Sequence, residues 1–185
     1  MKDPTSHPQI DQALLLVVDV QGKLARLMHE SDAMIRQQQI LVSACRLLEV
    51  PIVWAEQLPA KLGPTVPELA ARLDGLAPLA KASFGCCADP ELSAAIARSH
   101  RRQVLLCGIE AHVCVWQTAA VLLRQEYAVH VICDAISARS ASNRDIAFQR
   151  MAAAGACLSN VEMALFELMQ TARHPRFREV TALLK

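Results

Sequence analysis

The segment ALLLVVD at positions 13–19 is apolar without interruption until its terminal carboxylate. A strand with one face in water alternates apolar and polar residues. One that is apolar throughout needs cover on both faces, as strands have in a parallel sheet flanked by helices. The rest of the chain keeps to that plan. Residues 31–49 carry apolar side chains at helical spacing behind a Ser31/Asp32 start signal, and PIVWAE (51–56) is a second strand opened by a proline. A loop running into a short helix over 58–76 has Pro67 in the helix's first turn, and a brief strand follows at 78–80. Asp89 is placed to cap a helix over 90–99, with Pro90 in its first turn.

The second half alternates more cleanly. Strands are predicted at 103–109, 128–134 and 156–158, with helices at 114–126, 142–154 and 161–171. Strand-then-helix repetition requires right-handed crossovers, so the predicted fold is a three-layer α/β/α sandwich around a six-stranded, mainly parallel sheet. With the first strand central and the fourth opening the second wing, the order is 3-2-1-4-5-6, a Rossmann-like arrangement. A length of 185 residues fits one full core, and no Pro/Gly/Ser-rich linker or internal repeat divides it. The expected organisation is a polar lead-in over 1–11 followed by a single domain over 12–185.

Charge and composition narrow the function classes. The 19 basic and 18 acidic side chains leave a net charge of +1, which gives no electrostatic case for nucleic acid or an anionic membrane surface. Apolar residues at 53% against 20% charged imply extensive burial, including a homo-oligomer interface. No apolar run reaches the roughly 18 residues of a membrane span, and the lead-in MKDPTSHPQIDQ lacks a signal-peptide core, so the expected location is cytoplasmic. The seven cysteines, at 45, 86, 87, 107, 114, 133 and 157, form no CxxC pair and no zinc spacing, which fits a reduced compartment. Cys45, Cys107 and Cys133 fall within apolar segments and read as inert core thiols.

Cys114 differs from these by its position. It ends the segment QVLLCGIEAHVCV, where a buried strand gives way through GIEAH to a helix. Free backbone N–H groups and the positive end of a helix dipole there are expected to favour the thiolate. In the predicted strand order Asp19 and Cys114 leave adjacent strands and flank the topological switch point, where doubly wound folds bind ligands. Lys81 leaves the third strand, two places from the first, and spacing alone does not bring it to the pair. An acid, a lysine and a cysteine at strand exits are nonetheless the parts of a nucleophilic hydrolase acting on a small molecule.

Four segments, LLLVVDVQ (14–21), LAKASFG (79–85), GIEAHVCVWQTA (108–119) and CDAISARS (133–140), together resemble the isochorismatase-like cysteine hydrolases. The resemblance spans about residues 12–168, and EQLPAKLGPTVPEL (56–69) is similar to a metal-free branch of that superfamily. It implies a triad in which Cys114 attacks a carbonyl carbon, Asp19 is the general base and Lys81 pairs with Asp19. It further implies a cis peptide between Ile109 and Glu110 and an oxyanion hole from the N–H groups of Glu110 and Cys114.

Nicotinamidases in the superfamily hold a metal through an Asp-x-His pair and a second histidine. Here the matching stretch WAEQLPAKLG contains no histidine, so neither metal nor other cofactor is expected. Members that cleave isochorismate have glycine where this chain has Cys114, which places the chain on the acyl-transfer side, cleaving a small amide, carbamoyl or related C–N bond. Gln21, Glu56, Gln57, Phe84 and His112 lie near the triad in sequence and are the candidate substrate contacts. Two other readings fit the same residues: a binding or scaffold protein with little turnover, and a redox-responsive thiol protein joining Cys114 to Cys86 or Cys87.

Overall fold

The computed structural model describes residues 7–185, so the first six residues of the polar lead-in lie outside the described residues. The elements run β1 (Ala13–Val18), α1 (Gly22–Arg26), α2 (Ser31–Leu47), β2 (Ile52–Gln57), α3 (Pro59–Leu62), α4 (Pro67–Ala70), β3 (Leu79–Lys81) and α5 (Pro90–Arg98). They continue with β4 (Gln103–Gly108), α6 (Trp116–Arg124), β5 (Ala128–Ile136), α7 (Ala141–Ala153), β6 (Cys157–Ser159), α8 (Val161–Met169) and α9 (Phe177–Ala182). The sheet order is β3-β2-β1-β4-β5-β6 and every pairing is parallel.

Helices α2 and α8 pack on one face of the sheet, with α4 and α9 against α2, while α5, α6 and α7 cover the other. This double cover is why β1 is apolar at every position and fully buried. Among the described residues, no helix is long and apolar enough to cross a membrane.

Several local expectations are adjusted. Asp89 caps α5 as expected, its carboxylate accepting from the N–H groups of Glu91 (3.0 Å) and Leu92 (3.1 Å). Helix α2 does begin at Ser31, but no side chain caps it; Glu30 ahead of it sits in left-handed backbone with φ 52°. Lys81 is the last residue of β3 rather than the residue after it, because β3 pairs with β2 in the register Gln57↔Lys81. The helix expected from 114 starts at Trp116, after one wide π-helical turn over Ala111–Val115. Helices α1 and α9 have no expected counterpart; each is only five or six residues long, too short for helical periodicity to register.

One core residue gives the fold a pH dependence. His130 on β5 is buried, neither ring nitrogen has a hydrogen-bond partner among the described residues, and burial, with a smaller contribution from His7, depresses its pKa to about 4. An imidazole that titrates near 6.5 in the unfolded chain binds its proton earlier there than in the native state, so stability falls as pH drops through the window from 6.5 towards 4. The full loss is about 3 kcal/mol. In urea unfolding, His130→Leu is expected to remove that part of the acid sensitivity; an unchanged pH slope would show that His130 does not cause it.

Candidate active site

The site is assembled at the carboxyl edge of the sheet from the ends of β1, β2, β3 and β4. After Val18, Asp19 takes left-handed backbone with φ 55°, which ends β1 while its N–H still bonds the Ala55 carbonyl (3.1 Å). On the neighbouring strand, β4 closes at Gly108, opposite Val18, and the Ile109 N–H donates back to the Val18 carbonyl (2.9 Å). Gly108 has φ +127°, and a Cβ there would overlap the Val18 backbone, so glycine is required for this close approach of β4 to β1.

The Ile109–Glu110 peptide is cis, as the sequence resemblance implied. The chain then makes the wide turn that carries Cys114. The Glu110 carbonyl accepts from the N–H groups of Val113 (3.0 Å) and Val115 (3.2 Å), and Ala111 N–H bonds Ser137 O (2.8 Å). The Glu110 N–H makes no backbone hydrogen bond among the described residues. From α6, the Thr118 hydroxyl donates to the Cys114 carbonyl (2.7 Å) and accepts from the Cys86 N–H (3.0 Å), tying the turn to the segment after β3.

Lys81 does reach the pair, by a route that strand spacing could not reveal. Its strand lies two places from β1, roughly 10 Å away at ordinary strand spacing. The side chain crosses the end of β2 and places Nζ 2.6 Å from Asp19 Oδ2 and 2.6 Å from Gln57 Oε1. The carbonyls of Ser83 and Phe84 complete its surroundings at 3.1 Å each. This ion pair is almost wholly buried, with side-chain exposures of 0% for Lys81 and 3% for Asp19.

Burial raises the pKa of Asp19, and the ion pair with Lys81 and its hydrogen bond work against that rise. Cys114 lies close enough for each group to act on the other. Burial first, and the Asp19 charge second, push the thiol up to about 12, while Lys81 pulls it down. The expectation of a resting thiolate is therefore corrected: desolvation and a neighbouring carboxylate outweigh whatever the following helix contributes. A protonated thiol beside a buried carboxylate is the starting state of general-base catalysis, in which the proton leaves as the sulfur attacks.

The candidate substrate contacts separate into two kinds. Gln21 is fully buried and spent on backbone: its Oε1 accepts from the Gln57 N–H (2.6 Å), and its Nε2 donates to the carbonyls of Gln57 (3.1 Å) and Gly63 (2.7 Å). Glu56 is buried, and its Oε1 accepts from both the N–H (2.6 Å) and the hydroxyl (2.8 Å) of Thr65, whose hydroxyl also accepts from Trp54 Nε1 (2.8 Å). Gln57 commits both ends of its amide, to Lys81 Nζ and, through Nε2, to the Ala82 carbonyl (2.7 Å). These three side chains bond to protein rather than stand free at the site. Phe84, by contrast, is 55% exposed, and His112 is half-buried with an Nδ1 that has no partner among the described residues.

Thr65 was not anticipated; the bridging it does between Trp54 and Glu56 is a contact across the β2 loop that carries no sequence pattern. Among the described residues, no group of three or more His, Cys, Asp or Glu side chains is arranged to hold a metal ion.

Comparison with known proteins places this geometry. The isochorismatase domain profile matches residues 13–163. Isochorismatase domain-containing protein 2 of Homo sapiens is 40% identical over 174 residues, covering 94% of this chain and 83% of that protein. Among solved structures, the MAR1 ribonuclease from Caenorhabditis elegans superposes with a TM-score of 0.91 at 36% identity, over 97% of this chain and 92% of its own. The YcaC gene product from Escherichia coli, described as an octameric hydrolase of unknown specificity, shares the fold with a TM-score of 0.88 at 23% identity, over 98% and 97% of the two chains.

Proposed function

Since this chain belongs to the isochorismatase family, we propose that it is a cysteine hydrolase cleaving a small amide, carbamoyl or related C–N bond, with Cys114 as nucleophile. The observation that carries this reading is the buried Lys81–Asp19 ion pair set beside the Cys114 thiol. Asp19 takes the thiol proton as Sγ bonds to the carbonyl carbon, and the carbonyl π electrons move onto oxygen. The N–H groups of Glu110 and Cys114 are the proposed donors to that oxyanion. When the tetrahedral adduct collapses, the C–N bond breaks and the leaving nitrogen takes the proton from Asp19, giving a thioester. Water then attacks the thioester with Asp19 again as base, releasing the acid and restoring the thiol. Lys81 keeps a positive charge beside Asp19 throughout, so the proton moves between two groups that are never left without a counter-charge.

The name of the Caenorhabditis elegans relative raises nucleic acid as a substrate. A net charge of +1 and a triad enclosed beneath the sheet edge favour a small molecule instead. For assembly we infer a homo-oligomer, supported by exposed apolar side chains at Leu158 on the edge strand β6 and at Met163 and Phe166 on α8.

The test is ammonia release from a panel of small amides and carbamoyl compounds, with the Cys114→Ala chain as blank. At least one compound is expected to turn over with the native chain and to fall by about 10³-fold or more with the variant. Equal ammonia release from both chains would overturn the assigned nucleophile, and no release across the panel would overturn the substrate class.

A further inference from the structure

We propose that Gln57 is a positioning residue that carries the Lys81 ammonium across β2 to Asp19, and that Gln21 holds Gln57 in place to do so. This inference rests on the triad reading above. Lys81 and Asp19 sit on strands separated by β2, and Gln57 is the β2 residue in register with Lys81. Its amide is oriented by the Nε2 bond to the Ala82 carbonyl, which leaves Oε1 as the acceptor facing Lys81 at 2.6 Å.

The backbone of Gln57 is fixed in turn. After Val18↔Ala55, the β1–β2 ladder gives way because Asp19 turns the chain away. The Gln21 side chain then substitutes for the missing strand: its primary amide bonds both the N–H and the C=O of Gln57, as a peptide group would. The result is a closed circuit from β1 through Gln21, Gln57 and Lys81 back to Asp19.

A neutral amide suits the midpoint of this circuit. It offers Lys81 an acceptor without a competing negative charge, so the ammonium's charge is directed at Asp19. A carboxylate there would share that charge and add repulsion against Asp19 and a developing Cys114 thiolate. A methionine would fill nearly the same space with no acceptor, leaving the lysine less firmly placed.

The experiment measures the rate of Cys114 alkylation by iodoacetamide from about pH 7 to about pH 9, site-resolved by mass spectrometry, in the full-length native chain, Gln57→Met and Gln57→Glu, with thermal unfolding run on each. Both variants are expected to slow Cys114 alkylation about tenfold across that range, while the rates at the other cysteines stay as they were. Folded variants that alkylate Cys114 at the native rate would overturn the proposal; if Gln57→Met does not fold, the Gln57→Glu rate decides alone. With any compound that the amide panel identifies, a Gln57→Met effect confined to KM would equally overturn it, since that marks a substrate contact. The alkylation readout needs no substrate, so an empty panel would defeat the proposed function while leaving this test decisive.

Discussion

A Lys81→Met chain is expected to lose about 3 to 5 kcal/mol of stability at neutral pH, because it leaves the Asp19 carboxylate buried with no cation beside it. Asp19→Asn strands the complementary charge and should lose a comparable amount, whereas Asp19→Asn with Lys81→Met removes both charges and should lose much less than the sum. The pH dependence separates the singles. Without Lys81, the folded-state pKa of Asp19 rises further above its unfolded value, so the folded chain binds the extra proton. The Asp19 contribution to stability is then greatest in acid and is lost as pH rises through that folded-state pKa. Lys81→Met should therefore be nearer to the native chain at mildly acidic pH than at neutral pH. Urea unfolding at the two pH values checks this; additive single losses with no pH trend would show that the pair is not coupled as its 2.6 Å separation requires. Under the proposed mechanism both singles are also expected to lose nearly all turnover, since one removes the base that takes the Cys114 proton and the other its counter-charge.

Gly108→Ala is the second large effect, expected to destabilise by about 3 kcal/mol or more. The new Cβ would drive into the backbone of Val18, the residue that leads directly into Asp19, and φ +127° is unfavourable for alanine even with space available. Gly155 supplies the control: it also has positive φ, at +96°, but a Cβ there meets nothing within 4 Å, so Gly155→Ala should lose only about 1 to 2 kcal/mol. Chemical denaturation of both variants gives the comparison, and equal losses would mean that the clash with β1 is relieved by movement. Any Gly108→Ala chain that folds should also turn over slowly, because β4 and β1 deliver Cys114 and Asp19 to the same point.

The difference between those two glycines has no counterpart in the sequence, where both are simply glycines after apolar residues. The same holds for the cysteines. Cys107 and Cys114 sit seven residues apart in similar apolar surroundings, yet one is buried within a strand and the other stands beside an ion pair. Asp89 shows the opposite case: its cap was legible because the carboxylate bonds N–H groups only two and three residues ahead.

Local pattern and chain order determined the architecture by themselves. Unbroken apolar strands alternating with helical segments need two-sided cover and right-handed crossovers, and the parallel sheet follows from these; with the first strand central and the fourth opening the second wing, so do the strand order and the meeting of Asp19 with Cys114 at adjacent strand ends. The tertiary structure alone decided the electrostatics of the site. Lys81 reaches Asp19 only by lying across β2 on Gln57, and the Cys114 thiol keeps its proton because burial and Asp19 act on it together. Periodicity is a property of neighbours along the chain, whereas desolvation and ion pairing depend on which distant residues share a buried space.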